Sequence, residues 1–270
     1  MALVSDLNQK FGIKILNVLV FIFFFGSNLY ASLGGPSTGY YYQKETYITP
    51  AAETFWIWTV INLLFLGFVI FQFFEAGTRA IIDVVGWRFV AIGVLQSIWI
   101  HLFAGHHYII AFIFSLFVAS VVSHVYYDLA SSNFRSKGEL VLVHLPFSLL
   151  HAYLTFLLVL SAFTAFGVDK TDHPAGVITQ VLVIIALLGL AATGVGYIYT
   201  IHNDGDIAGA VVIALELAGV FARQQKPDSI HWVALGSFLI TVIAILQALY
   251  STFRGGRIRL QDSEQAPLIA

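Results

Sequence analysis

At 270 residues and a net charge of −2, the chain is 59% hydrophobic and only 10% charged, against about 25% charged in an ordinary soluble domain. So few charges cannot cover that much apolar surface in water, which excludes a soluble fold; the near-neutral balance excludes a nucleic-acid partner recruited by bulk charge. The lack of cysteine excludes disulfides, iron–sulfur clusters, thiolate zinc sites and cysteine nucleophiles, and there is no Asn-x-Ser/Thr sequon to take an N-glycan.

A membrane-spanning helix needs roughly 20 mostly apolar residues. In chain order the segments that qualify are 13–33, 54–74, 87–104, 107–127, 144–166, 175–200, 206–222 and 231–252. The predicted fold class is therefore all-α: a polytopic transmembrane helix bundle of about eight spans. The first segment has a rival reading as a cleaved signal peptide, with Lys10 and Lys14 ahead of the apolar run. Against it stand the length of that run and Leu29, which occupies the position where a cleavage site after Ala31 wants a small residue. Segments three and four meet at Ala104-Gly105-His106 and predict a tight helical hairpin. Asn203-Asp204-Gly205-Asp206 reads as a turn and separates segment six from the shorter segment seven.

Basic residues orient such a bundle, because the cytosolic loops carry the excess of Lys and Arg. With eight spans, Lys10, Lys14, Arg79, Arg88, Arg135, Lys137, Arg254, Arg257 and Arg259 share one side with both termini. The other side holds Lys44, Lys170, Arg223 and Lys226. The predicted protein is integral and multi-pass, with lipid as its first partner and both termini in the cytosol.

Several stretches bear a family resemblance. Ile48-Thr49-Pro50-Ala51-Ala52-Glu53-Thr54-Phe55-Trp56-Ile57-Trp58-Thr59 resembles the Pro and Phe-x-x-Trp-Thr run that opens the second span of the tryptophan-rich sensory protein/translocator protein (TspO-like) family. Gly86-Trp87-Arg88-Phe89, followed by Leu95-Gln96-Ser97-Ile98-Trp99, is similar to that family's third span. Pro146-Phe147-Ser148, with Tyr153 and Thr155, is similar to its fifth. The resemblance covers roughly 13–166 and points to long members with added spans. It implies a five-helix module over 1–166, three further helices over 167–253 and a flexible cytosolic tail over 254–270. Asn62, Gln96 and Tyr153 depart from the Tyr, Asn and Trp usual at those positions. All three lie in the region that lines the ligand cavity in characterised members. The resemblance thus supports the fold more firmly than the ligand.

The polar side chains carry the functional reading. His144, Ser148, His151 and Thr155 fall at spacings of four, three and four. At 100° per residue they form one stripe on an otherwise apolar helix. In lipid such a stripe must face the bundle interior, where it either bonds helices together or lines a ligand cavity. The resemblance implies that Phe55, Trp58, Asn62, Gln96, Trp99 and Tyr153 complete that cavity. Flat aromatic walls with a few amides and hydroxyls suit a large planar ligand, and the resemblance implies a tetrapyrrole- or sterol-like one, with haem or porphyrin as ligand rather than resident cofactor. Glu216 is the one carboxylate deep within a candidate span. It is either a neutral acid bonded to a neighbouring helix or a proton or ion site.

Nine histidines raise a second class, an intramembrane metal-dependent hydrolase. His101, His106 and His107 sit at one membrane edge, however, and His124 near Asp128 sits at the other. Neither a His-x-x-x-His pair nor a His-Glu-x-x-His motif occurs. A third class is a membrane scaffold or assembly factor without ligand. Ala111, Ser115, Ala119 and Ser123, four apart, predict a close-packed seam, internal or between protomers. The resemblance implies a homodimer. Finally, Glu264 with Leu268 and Ile269 resembles an acidic dileucine sorting signal, which in a eukaryote would direct the protein to endosomal, lysosomal or vacuolar membranes.

Overall fold

The computed structural model describes residues 2–33, 44–132, 136–199 and 205–255. The sorting signal of Glu264, Leu268 and Ile269 and the Asn203-Asp204 half of the turn lie outside them. Within the described residues the chain is helical throughout its apolar segments. The long helices are α1 (Ala2–Leu33), α2 (Trp56–Phe71), α4 (Arg88–Ala104), α5 (Tyr108–Ala130), α7 (Leu145–Phe166), α8 (Val177–Tyr199), α9 (Ile207–Arg223) and α10 (Asp228–Gly255). Two short helices, α3 (Glu75–Thr78) and α6 (Lys137–Glu139), run into π-helical segments at Arg79–Val85 and Leu140–His144.

Helices are forced because hydrocarbon offers backbone N–H and C=O groups no partner but each other. The irregularities have local causes. Pro146 stands in the first turn of α7. It has no N–H to give to a carbonyl four residues back, so the wider π-helical turn just before it is the natural accommodation. At the other break, Gly86 adopts φ 56°, a backbone conformation that glycine takes without penalty. It lets the Glu75–Val85 arm meet α4 at a bend of 68°.

Six described helical stretches are long and apolar enough to cross a membrane, and the bent pair makes a seventh. The one remaining predicted segment, 206–222, corresponds to α9, which at 17 residues falls just short of the usual span length. The outer surface is apolar, with Ile22, Ile70, Phe117, Ile185 and Leu246 all about half exposed or more, as expected where lipid is the solvent. The predicted hairpin forms, with α4 and α5 joined across Gly105–His107. The Ala111/Ser115 face of α5 is buried within the chain. The small-residue seam is therefore internal, between α5 and its neighbours.

The segment 44–55, ahead of α2, is tied down along its length. The Lys44 ammonium bonds the Gly167 carbonyl at 2.6 Å. The Tyr47 hydroxyl donates to the His173 carbonyl at 3.0 Å. The Gln224 amide donates to the Thr49 carbonyl at 2.6 Å, and the Ala51 N–H donates to the Gly219 carbonyl at 2.9 Å. Glu45 pairs at 2.9 Å with both Lys170 and Arg223. These bonds join the start of α2 to the α7–α8 loop and to the C-terminal end of α9.

Partial burial works against the Glu45 carboxylate, but Arg223 and Lys170 outweigh it and hold its pKa below the ordinary glutamate value of 4.5. A depressed carboxyl pKa stabilises the fold at neutral pH, and that contribution disappears as pH falls through the folded-state value. Thermal unfolding of Glu45→Gln in detergent should therefore begin below wild type at neutral pH, by the equivalent of about 1 kcal/mol or less for a pair this open to solvent. The difference should close as the buffer is acidified past the carboxylate range. A gap that stays constant with pH would remove the ion pairs as its source.

Candidate functional site

Two inward-facing groups of side chains stand out, on opposite faces of α7. The first is an aromatic cavity of about 170 Å³ enclosed by α1, α2, α4 and α7. Asn28 and Ala31 come from α1, and Trp99 and Ile100 from α4. Tyr153 and Leu157 come from α7; Phe55, Trp56, Trp58 and Thr59 come from the 3₁₀ turn Ala52–Phe55 and the first turn of α2. Trp58 sits 4.9 Å from Tyr153, centroid to centroid, and meets Phe24 edge-on at 5.6 Å. The Trp99 indole N–H is anchored to the Ser161 hydroxyl at 3.2 Å, which fixes that wall. Trp56 is 71% exposed and marks the side on which the cavity opens. A cavity of this size is comparable to one that accepts benzene and smaller than the ~300 Å³ at which drug-sized sites begin.

Of the residues singled out from sequence, Phe55, Trp58, Trp99 and Tyr153 line this cavity. Asn62 and Gln96 do not. Both are buried and outside the lining. The Asn62 amide donates to the Trp58 carbonyl at 2.8 Å, while its own oxygen and both polar atoms of Gln96 have no hydrogen-bond partner.

The second group contains the polar stripe, which faces α5, α8 and α9. At its centre is Asp206, the N-cap of α9, whose side chain accepts from the Gly209 N–H at 3.1 Å. The same carboxylate accepts from the Tyr126 and Ser148 hydroxyls, each at 2.6 Å. Three donors and the positive end of a helix satisfy a carboxylate without a cation. His151 stacks flat on Tyr126 at 4.5 Å. One ring nitrogen meets the Ser123 hydroxyl at 3.0 Å, and the other meets the Tyr197 hydroxyl. Ser123 already donates to the Ala119 carbonyl at 2.7 Å, so the consistent tautomer donates from Nε2 and accepts the Tyr197 proton at Nδ1. The Thr155 hydroxyl turns back to the His151 carbonyl at 2.9 Å, and the His144 ring lies 6.0 Å from Tyr126.

Asp206, Tyr126, Tyr197 and Ser123 were not among the sequence candidates for a site. Asp206 read only as part of a turn, although Asp ahead of an apolar helical run is an N-cap signal. Tyr126 and Tyr197 carry no such mark. Tyr197 is packed over Gly209, where an added Cβ would lie 2.7 Å from the ring, so α8 and α9 approach closely at the cluster.

Glu216 belongs to neither group. It lies mid-way along α9, fully buried, with neither carboxyl oxygen hydrogen-bonded. The histidines do not gather into a metal centre. Among the described residues no three His, Asp or Glu side chains form a group able to hold an ion, and Asp128 is paired with Arg88 at 2.5 Å.

An interhelical aromatic cavity within a bundle of apolar helices belongs to a multi-pass membrane protein. The family model described as TSPO-like protein matches residues 14–247, and the chain belongs to that family. The match extends past the 13–166 stretch of sequence resemblance into α10. No curated protein and no solved structure matches the chain.

The Asp206 cluster makes a direct prediction. Asp206→Asn keeps the side-chain shape but removes the charge and one acceptor oxygen, so the two hydroxyls on Oδ2 and the Gly209 N–H on Oδ1 can no longer all be accepted. Hydrogen bonds to a charged group are worth about 1.5–3 kcal/mol each. The variant should accordingly unfold in detergent well below wild type, with Tyr126→Phe and Ser148→Ala each losing less. An Asp206→Asn protein as stable as wild type would show that the cluster does not hold α5, α7 and α9 together.

Proposed function

We propose that the protein is a non-enzymatic membrane protein that binds or moves a hydrophobic small molecule in the aromatic cavity between α1, α2, α4 and α7. The supporting observation is the convergence of Phe55, Trp58, Trp99 and Tyr153, drawn from four separate helical elements, on one opening beside Trp56. Four aromatic walls with Asn28 and Thr59 as polar points suit a flat, largely apolar molecule. Membership of the TSPO-like family favours a tetrapyrrole- or sterol-like ligand. At about 170 Å³ the cavity takes one ring of such a molecule, with the rest lying past Trp56 towards lipid or admitted as the walls part.

The stripe of His144, Ser148, His151 and Thr155 is assigned a structural part. Ser148 and His151 spend their polar atoms on Asp206, Ser123 and Tyr197, and the Thr155 hydroxyl donates to the His151 carbonyl. The intramembrane hydrolase reading finds no ligand set among the described residues.

Tryptophan fluorescence tests the proposal. Protoporphyrin or a sterol probe should quench the purified protein saturably. Trp58→Ala and Trp99→Ala should each weaken the apparent affinity about tenfold, the ~1.4 kcal/mol of a lost aromatic wall. His151→Ala, away from the cavity, should lower the unfolding temperature and leave affinity unchanged. Quenching that never saturates, or that the two Trp variants leave untouched, would overturn the assignment.

A further inference from the structure

Glu216 is a buried acid that neither group uses, and unlike buried Glu139, which pairs with Arg79 at 3.3 Å, it has no ion-pair partner among the described residues. Neither oxygen of its carboxyl has a hydrogen-bond partner, and the Thr54 hydroxyl of the neighbouring 3₁₀ turn gives its proton to the Ala51 carbonyl at 3.0 Å. The titratable groups on the elements around α9 are engaged elsewhere. Glu45 holds Lys170 and Arg223, and His231 bonds the Gln224 carbonyl. His151 bonds Ser123 and Tyr197, and Tyr197 lies over Gly209, two turns back. Tyr153 lines the cavity, and Glu53 is exposed. An ionised carboxylate in this setting is an uncompensated buried charge, and the neutral acid is not.

We propose that Glu216 is an exchangeable proton site, and that its neutral form latches α9 to the segment carrying the cavity wall. Residue by residue the connection is short. Gly219, one turn beyond Glu216, is packed so tightly that an added Cβ would strike Thr54 and lie 3.1 Å from Pro50. Its carbonyl holds the Ala51 N–H. Thr54 is followed directly by Phe55 and Trp56, and then by Trp58 and Thr59, all lining residues. Loss of the proton leaves a charge that must be met by water or a cation. That requires α9 and the 3₁₀ turn to separate, which moves the wall. A second polar group stands at the same height. Thr241 and Ile213 both pack against Gly194, and Phe221 stacks on His231. This antiparallel register brings Ser237, whose hydroxyl has no partner, level with Glu216. The latch needs no ligand; its effect on ligand affinity rests on the cavity reading above.

Hydrogen–deuterium exchange of the full-length protein in detergent tests the latch, followed over peptides spanning 46–59 and corrected for intrinsic base catalysis. The corrected exchange of wild type should rise several-fold from mildly acidic to mildly alkaline buffer. Glu216→Gln, a permanent mimic of the neutral acid, should hold the slow rate throughout. Thr54→Val, which leaves the carboxyl in place, should keep the wild-type pH response. A flat wild-type profile, or Glu216→Gln following the wild-type curve, overturns the proposal. Should Glu216→Gln not fold, a flat wild-type profile overturns it by itself. Loosening through Glu45 runs the opposite way, on acidification, so the two cannot be confused. Probe quenching measured in the same buffers separates the failures. Absent quenching with pH-dependent exchange removes the cavity reading alone, and saturable quenching with flat exchange removes the latch alone.

Discussion

The structure depends on one constraint: within hydrocarbon, a polar group is answered by the protein or not at all. Backbone groups meet it by closing into helices. Side chains have no such automatic solution, and the few that lie inside the spans are consequently gathered. Asp206 shows the constraint fully met, with two hydroxyls and a backbone N–H on one carboxylate. These contacts draw α5, α7 and the start of α9 to a single point. Helix packing in lipid gains little from burial of apolar surface, since the tails outside are equally apolar. Contacts of this kind, with close approaches such as Tyr197 over Gly209, therefore carry much of the specificity of the bundle.

The same constraint explains how one helix serves two purposes. His151 and Tyr153 are two residues apart and so roughly 200° apart around α7. The first is committed to the polar cluster with α5 and α8, the second to the aromatic cavity with α2 and α4. A firm polar backing on one face keeps α7 in place while the other face borders empty volume. The cavity wall opposite is held differently. Phe55 and Trp58 are positioned by the 44–55 segment, whose own bonds run to Gly167, His173, Gly219 and Gln224. The C-terminal helices thus supply the anchorage for one wall of a cavity built from N-terminal ones.

Much of this was legible in the sequence for physical reasons, and the remainder was not. The apolar segments announce themselves because a helix in lipid cannot tolerate many charges, and the stripe on α7 announces its inward face through its spacing alone. Spacing on one helix cannot say which neighbour that face meets. His151 was grouped with Tyr153 for this reason, although they point to different sites. Asp206 was hidden by its own versatility, because an Asp beside a glycine signals a turn whether or not its carboxylate also organises three helices. Tyr126 and Tyr197 were hidden by abundance, as two of 12 tyrosines in a chain rich in aromatics. Asn62 and Gln96 were drawn into the cavity by resemblance. In the structure they are buried outside its lining, and the unpartnered Gln96 amide records a place where the constraint is not met.

Unmet polar groups in lipid are informative because they are costly; among the described residues Asn17 Oδ1 and Gln224 Oε1 lie apart, but several others come close to the cavity wall. Glu216 and Ser237 lie at one level between α9 and α10, beside the turn that carries Phe55. Gln96 lies on the helix that carries Trp99, less than one turn away. The satisfied cluster at Asp206 and the unsatisfied atoms around the cavity thus occupy different parts of the bundle. A fold that needed only rigidity would have no reason to leave a buried carboxyl without a donor next to a hydroxyl already committed elsewhere. A fold whose cavity wall must move has one, because a group that is poorly satisfied in one arrangement lowers the free-energy gap to another. The anchored half around Asp206 provides the fixed frame, and the wall between Glu216 and Trp58 is where the proposed latch would act.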